Sequence, residues 1–183
     1  MRNAANGPAI LILALAAIGC SAGPERVPPQ ATAPAVTDAE IAAIVVMANT
    51  IDAEAGDLAV ARASSEDVRA FAKTMATDHR AVNAQAGELV TRLGVVPETN
   101  AVSERLKAEA ATVQAELSKK SGADFDRAYI AREVAYHRAV IEAVDQMLIP
   151  SARNAELKQT LISVRPAFVA HLRHAEQLQQ SLK

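Results

Sequence analysis

The sequence predicts an all-α protein, and three observations support this fold class. Half of its 183 residues are hydrophobic but only 3% are aromatic, and the apolar set is mostly alanine, leucine and valine, a composition that favours helices. Strand-forming residues are sparse, and no hairpin dipeptide of the Asn-Gly type separates two alternating runs, so a sheet has little to be built from. Apolar residues instead recur every three or four positions, as on one face of a helix.

The charge of the chain argues against nucleic acid as a partner. The formal net charge is −2 at pH 7, and the Lys and Arg residues are interspersed with acids along the predicted exposed helix faces. Nucleic-acid binding needs a clustered basic surface. We therefore expect no nucleic acid to bind.

The amino-terminal residues predict export and a lipid anchor. Arg2 precedes the apolar run 9–18, which is shorter than the roughly twenty residues of a membrane-spanning helix. This pattern predicts a signal peptide over residues 1–19. The run Ala17-Ile18-Gly19-Cys20 is similar to a bacterial lipobox, in which cleavage before the cysteine precedes its lipid modification. An ordinary secretory signal ending near Ala22 is the alternative, and both predict an exported protein.

Residues 20–36 predict an extended tether, because they contain four prolines and no periodic apolar pattern. Ser21, not an aspartate, follows the cysteine, which favours the periplasmic side of the outer membrane as the destination. The lipid on Cys20 would be the contact with the membrane. The domain itself is expected to cover residues 37–183.

The first two helices are predicted from their caps. Thr37-Asp38-Ala39-Glu40 fits a capping box that starts a helix continuing to about Ala63. Ser64-Ser65-Glu66-Asp67 predicts a tight turn and the start of the second helix. Gly94 predicts its end after Leu93.

The remaining helices predict a crossover topology. A shorter third helix is expected from Asn100 to about Lys119, and its roughly twenty residues would span about 30 Å, the length of a bundle. Gly94 and Gly122 should then lie at opposite ends of the domain. The fourth helix is expected from about Gly122 to Leu148, ended by Pro150. The fifth is expected from about residue 154 to the end of the chain.

Several acids and imidazoles fall on the apolar sides of these helices. Glu133 and His137 are four residues apart and so occupy one helix face together with Ile130 and Val134. His79 lies in the apolar stripe of the second helix, whereas His174 is expected to be exposed. With the crossover, the candidates on different helices fall at similar depth, within about 7 Å. The candidate site residues are Asp52, Glu54, His79, Glu133, His137 and His171.

Two interpretations of these groups remain open, since buried polar groups need partners. A mixed set of nitrogen and oxygen ligands would suit a transition metal such as zinc, iron or copper. Alternatively, the groups pair with each other, for example His79 with an acid of the first helix and Glu133 with His137 or His171. No Gly-x-Ser-x-Gly motif is present, and the single cysteine lies outside the domain, so no catalytic residue is predicted.

Motifs on three helices carry a family resemblance. They are Val68-Arg69-Ala70-Phe71-Ala72-Lys73-Thr74-Met75 with Asp78-His79, Phe125-Asp126-Arg127-Ala128-Tyr129-Ile130, Glu133-Val134-Ala135-Tyr136-His137, and Arg165-Pro166-Ala167-Phe168 with His171-Leu172. Together they resemble the exported bacterial family of unknown function numbered 4142, over residues 38–180. The resemblance implies a ferritin-like four-helix bundle, often in an outer membrane lipoprotein, and no established reaction.

The chain departs from the di-iron pattern of ferritin-like proteins, which includes Glu-x-x-His motifs. Glu133 and His137 are four residues apart, and Phe168 stands three residues before His171. A standard ferroxidase centre is therefore not expected. The sequence leaves two classes of function: a lipid-anchored envelope protein with a metal ion in its core, or a non-catalytic structural or interaction module with a metal-free polar core, serving stress tolerance or partner docking.

Replacing Cys20 with serine is expected to release the protein from the membrane fraction and to alter signal-peptide processing, because the thiol is the predicted site of lipid attachment. Fractionation of the cell envelope followed by immunoblotting measures this release. The neighbouring variant Ser21→Ala should stay in the membrane fraction. A Cys20→Ser protein that remains equally membrane-associated would contradict the lipoprotein prediction.

Overall fold

Helices make up nearly all of residues 36–182, which are the residues that the computed structural model describes. No strand occurs among them, so the all-α prediction is confirmed. The predicted signal peptide, Cys20 and all of the predicted tether except Val36 lie outside the described residues. Within the described residues, no helix combines the length and the apolar character that a bilayer crossing requires.

Five helices follow one another along the chain, at positions close to those expected. Their bounds are α1 Asp38–Arg62, α2 Glu66–Leu93, α3 Ala101–Ser118, α4 Gly122–Ala143 and α5 Ala155–Ser181. The predicted capping box is present, since Thr37 N donates to Glu40 at 2.8 Å and Glu40 N donates to the Thr37 hydroxyl at 3.2 Å. Gly94 ends α2 in the left-handed conformation, with φ of 65°.

The prediction that Pro150 ends the fourth helix is wrong. The chain stays helical beyond α4 through a π-helical turn, Val144–Leu148, and a final turn, Ile149–Ser151. Proline disrupts an α-helix because it lacks an N–H and its ring meets the carbonyl four residues earlier. The π-helical turn just before Pro150 shifts the hydrogen-bond pattern, so that Ile149 N bonds to the Val144 carbonyl, five residues back.

Hydrogen bonds between the helix ends establish the crossover. Glu98 N donates to the Ala39 carbonyl at 3.0 Å, so the chain after α2 lies at the start of α1. Arg62 donates to the Lys120 carbonyl at 2.8 Å, so α4 begins at the other end of α1. Asn154 N donates to Asp38 at 3.0 Å, which places the start of α5 beside the start of α1. The helices α1 and α5 therefore run one way and α2 and α4 the other, as expected.

Two apolar cores occupy the two ends of the domain. The turn-end core, near the α1–α2 turn, includes Ala59, Val68, Phe71, Met75, Phe125, Tyr129 and Ala175. The opposite core includes Ile41, Ile44, Leu89, Val144, Leu148, Leu157 and Phe168. Along the helices, a set of buried polar side chains falls between them, and we call it the polar layer: Asn49, Asp52, His79, Glu133, His137 and His171.

Gly56 sets the distance between α1 and α2 just beside the polar layer. A Cβ atom at this position would lie 2.8 Å from the Ala72 carbonyl oxygen and 2.9 Å from Ala76 N. Both are backbone atoms, so the helices would have to move apart to accommodate it. The close approach brings Asp52 on α1 and His79 on α2 within reach of each other.

Gly56→Ala is expected to destabilise the protein by about 1–3 kcal/mol, because the added methyl group overpacks the α1–α2 contact. Gly87→Ala on α2 is the matched control, since its Cβ would meet nothing within 4 Å. That substitution should stabilise the helix by up to about 1 kcal/mol. Urea unfolding monitored by circular dichroism measures both changes, and equal effects would contradict the role assigned to Gly56.

Candidate metal centre

Five of the six predicted site residues converge in the polar layer. Asp52, Glu133 and His137 are fully buried, and His79 and His171 are 3% and 8% exposed. Glu54 is exposed and does not join them, so Asp52 is the acid that α1 contributes to the layer. Residues two positions apart in an α-helix, such as Asp52 and Glu54, are separated by about 200° around its axis. Only one of these two acids can therefore face the core.

The three buried imidazoles form a triangle contributed by α2, α4 and α5. The ring centroids of His79 and His137 are 5.6 Å apart, those of His79 and His171 are 5.5 Å apart, and those of His137 and His171 are 5.4 Å apart. One ligand atom from each of the three lies within 4.8 Å of the others. Asp52, Glu133 and His137 form a second group with the same property. The two groups share His137, so they make one continuous cluster.

Asn49 determines which nitrogen of His79 faces the cluster. The Asn49 amide donates through Nδ2 to the Val45 carbonyl at 2.8 Å, which leaves its Oδ1 atom towards His79. Oδ1 lies 2.7 Å from His79 Nδ1. Because an amide oxygen only accepts, Nδ1 must carry a proton. In the neutral imidazole, Nε2 then holds the free lone pair, 2.8 Å from Asp52 Oδ2.

The other two imidazoles are held in the same manner. His137 Nδ1 donates to the Glu133 backbone carbonyl at 3.0 Å, which leaves Nε2 as the acceptor. His171 Nε2 lies 3.0 Å from Asp78 Oδ2, so this nitrogen donates and Nδ1 is left as the acceptor. In metal sites, an outer oxygen typically binds the second ring N–H and orients the ligand nitrogen. All three imidazoles have this arrangement.

Arg132 orients the two carboxylates of the cluster. Its guanidinium donates to Oδ1 of Asp52 and, at 2.6 Å, to Oε1 of Glu133. The second oxygen of each carboxylate is thereby left for the imidazoles: Asp52 Oδ2 is 3.8 Å from His137 Nε2, and Glu133 Oε2 is 3.5 Å from His137 Nδ1. The guanidinium also lies 4.1 Å from the centroid of the Tyr136 ring, a cation–π contact.

One buried polar atom of each of the five residues lacks a hydrogen bond. These atoms are Asp52 Oδ2, His79 Nε2, Glu133 Oε2, His137 Nε2 and His171 Nδ1. Asp52 Oδ2 and His79 Nε2 are close enough to form an ion pair, but their relative orientation is not that of a hydrogen bond. Leaving a buried polar group unpaired typically costs about 1–3 kcal/mol. The cluster therefore contains five buried polar atoms that an additional partner such as an ion would satisfy.

The environment sets different protonation states for the two acids. Burial by itself would raise the pKa of Asp52, but the charge of Arg132 and the close contact with His79 outweigh burial and hold this pKa well below its usual range. Burial and the negative charge of Asp52 together raise the pKa of Glu133 to about 8. At neutral pH, Asp52 is therefore ionised while Glu133 is largely protonated.

Burial also favours the neutral form of two imidazoles of the polar layer, those of His137 and His171. It lowers the pKa of His137 to about 4, although the charge of Asp52 partly opposes this shift. It lowers the pKa of His171 as well, against the hydrogen bond that His171 donates to Asp78. Only a neutral imidazole has a lone pair to offer a metal. His137 is therefore competent as a ligand at neutral pH.

Sequence reasoning missed the residues that support the cluster. Arg132, Asn49 and Asp78 were not among the candidates, yet each holds one or more of the five residues. Arg132 could have been noticed because it directly precedes Glu133 next to an apolar stripe. Asn49 could have been noticed because it is one helical turn from Asp52 along α1. The pairing of His79 with an acid of α1, expected if the groups pair among themselves, is present as the His79–Asp52 contact. His174 is exposed, as expected.

Comparison with known proteins identifies the family but adds no activity. No curated protein and no solved structure was found to match the chain. The model of one family, described as a domain of unknown function, matches residues 24–178. This match includes all five residues of the cluster and most of the chain. The protein therefore belongs to the DUF4142 family.

Proposed function

We propose that this protein is a lipid-anchored protein of the cell envelope that binds one transition-metal ion in the core of a ferritin-like four-helix bundle. The ion would lie among Asp52, His79, Glu133, His137 and His171. The observation that carries the proposal is that each of these buried residues has one polar atom without a hydrogen bond. An ion among these atoms would give all five a partner.

The donor set indicates the class of metal. Three imidazole nitrogens with one or two carboxylate oxygens suit zinc, iron or copper, whereas magnesium and calcium prefer oxygen ligands alone. Asp52 is already ionised, and Glu133 would lose its proton on binding. The positive charge of Arg132 on the far side of both carboxylates offsets the charge that the acids would otherwise bring together. The proposed activity is retention of the ion.

The fold and the location are proposed from separate observations. The crossover connection through α3 and the alternating directions of α1, α2, α4 and α5 support a ferritin-like bundle. The lipobox around Cys20 and the proline-rich residues 20–36 support a lipid anchor and a tether. With export through the signal peptide, they support a location on the periplasmic side of the outer membrane or in the periplasm.

A second candidate function is a metal-free structural or interaction module. The 2.8 Å contact between His79 and Asp52 favours it, because a protonated imidazole could balance the carboxylate without a metal. Buried pairs of this type can set helix register while adding little net stability. The two candidates differ in whether the purified protein contains metal.

His137→Ala is expected to abolish metal retention, because it removes a ligand shared by both groups of the cluster. The wild-type chain, purified without chelator, should contain about one equivalent of metal by elemental analysis. The exposed His174→Ala variant on α5 should retain it. Added metal should also stabilise the wild type, by about 2.7 kcal/mol at a hundred times the dissociation constant, and should leave His137→Ala unchanged.

Replacing both Glu133 and His137 with apolar residues separates the two candidate functions. A structural pair can be exchanged for apolar residues at little cost, but a pair of ligands cannot be exchanged without losing the metal. Full metal content in this double variant, or a metal-free and stable wild type, would contradict the metal-binding proposal.

The affinity for metal is expected to fall with decreasing pH, because Glu133 must lose its proton to bind. Its pKa of about 8 in the folded protein means that binding at lower pH displaces one proton. Because Glu133 must be deprotonated, the apparent affinity for metal should fall about tenfold for each unit by which the pH decreases between pH 8 and pH 5. Protonation of His137, whose pKa is about 4, competes with metal binding only below this range.

Competition with a chelator of known pH dependence measures this trend. Glu133→Gln should reduce the slope by about one proton, since the amide does not titrate. The groups around Glu133, namely Asp52, Arg132 and His137, are unchanged in that variant. A slope that is identical in the wild type and in Glu133→Gln would show that Glu133 is not a ligand.

A further inference from the structure

A large apolar cavity lies between α1 and α4, under α3. Its volume is about 530 Å³, and residues of all three helices line it along most of their length. Protein interiors contain few voids larger than a water molecule, and an engineered cavity of only about 150 Å³ already binds benzene. Natural ligand pockets measure about 300–1,000 Å³. The cavity therefore has the size of a binding site and not that of a packing defect.

Small side chains and two polar bridges account for the cavity. Six alanines line it: Ala48 and Ala55 on α1, Ala110 on α3, and Ala135, Ala139 and Ala143 on α4. The three on α4 are spaced by four residues and so lie along one line of the helix surface. Two contacts connect α4 to α1 across the gap: the Tyr136 hydroxyl donates to the Ala48 carbonyl at 2.7 Å, and Arg132 pairs with Asp52.

The helix α3 covers this gap without filling it. Its apolar residues Val102 and Leu106 are only half-buried, and Val113 is 39% exposed, although all three line the cavity. Only Leu117, at the end of the helix, is buried among the apolar residues of α3. A helix whose apolar side stays this accessible is placed to contact a further apolar group.

The shape of the cavity indicates which kind of ligand fits. On α1 the lining extends from Ile44 to Leu58, which is about 21 Å along the helix axis. The cavity is therefore elongated, and its length suits an extended hydrocarbon chain better than a compact ligand.

We propose that this cavity binds one long, unbranched alkyl chain, that of a free fatty acid. The walls are mostly apolar, so the methylene groups supply the binding energy through burial. Arg105 on α3 lines the cavity and is 68% exposed, with its Nε atom 3.7 Å from Glu109. It stands where a carboxylate head group would reach solvent. The proposal does not depend on the metal site.

The test uses the purified chain, stripped of co-purified lipid on a hydrophobic resin and kept free of detergent. A fatty acid with a polarity-sensitive fluorophore is titrated below its aggregation concentration, and palmitate is then added as competitor. We expect saturable binding of one probe per chain and full displacement by palmitate. Affinity in a series of saturated acids should rise about tenfold with each two added methylene groups, and should level off when the chain fills the cavity.

Two variants on α3 locate the site. Ala110 lines the cavity, whereas its neighbour Ala111 does not and is exposed. Ala110→Trp should weaken binding at least tenfold by filling the cavity, and Ala111→Trp should change it less than twofold. Should Ala110→Trp lose its helical circular dichroism, Ala139→Phe on α4 replaces it, with the exposed, non-lining Ala131→Phe as its control.

Either of two results would overturn the proposal. The first is the absence of saturable binding to the wild-type chain. The second is an equal loss of binding in the folded cavity-filling variant and in its control, which would place the probe elsewhere. The titration is carried out without metal, so a failure of the metal-binding proposal leaves this test unaffected. A failure of the fatty-acid proposal likewise leaves the tests of metal binding unaffected.

Discussion

The arrangement of the polar layer depends on one nearly buried guanidinium. Asp52 and Glu133 have no exposure to solvent, and moving a charged group into a protein interior costs several kcal/mol even after relaxation. Arg132 donates to one oxygen of each acid, and its charge compensates much of that cost for the ionised Asp52. The same contacts leave the second oxygen of each acid towards the imidazoles. Arg132 thus makes the burial of the acids tolerable and also gives the candidate metal site its geometry.

The rest of the fold brings four helices to this layer in a defined register. The apolar cores on either side tie the helices together, and the close contact of α1 and α2 at Gly56 brings Asp52 and His79 into reach. Phe168 of the opposite core stacks on the His79 ring, with an interplanar angle of 5°. Asp78 and Asn49 bind the outer nitrogens of two imidazoles. The layer is thus a set of mutually oriented groups, and each group limits the rotamers of its neighbours.

Two sides of the helix α4 face the candidate metal site and the cavity. Glu133 and His137 face the interior, whereas Ala135, Ala139 and Ala143 face the cavity under α3. Arg132 and Tyr136 lie between these two sides and also line the cavity. An apolar ligand in the cavity would therefore lie against the outer side of the polar layer. Its presence would exclude water from Arg132 and strengthen the pairing of Arg132 with the acids.

The sequence by itself determined the features that depend on local interactions. Caps such as Thr37 and Gly94 marked the helix ends, and a period of three to four residues placed His79, Glu133, His137 and His171 on inward faces. The length of the third helix indicated the crossover. Each of these features follows from the geometry of one helix and its nearest neighbours along the chain.

Only the tertiary structure decided which groups meet. It selected Asp52 over Glu54, since both border the apolar stripe of α1 and the position of α2 determines which one is buried. It also placed Arg132, Asn49 and Asp78 at the cluster. Each of these side chains contacts a cluster residue on another helix, and helical periodicity does not predict such contacts. It also left the gap under α3, whose existence depends on how far α1 and α4 stand apart. All of these features depend on contacts between residues far apart in the chain, such as Asp52 and Arg132. The energies of such contacts depend on the relative positions of whole helices.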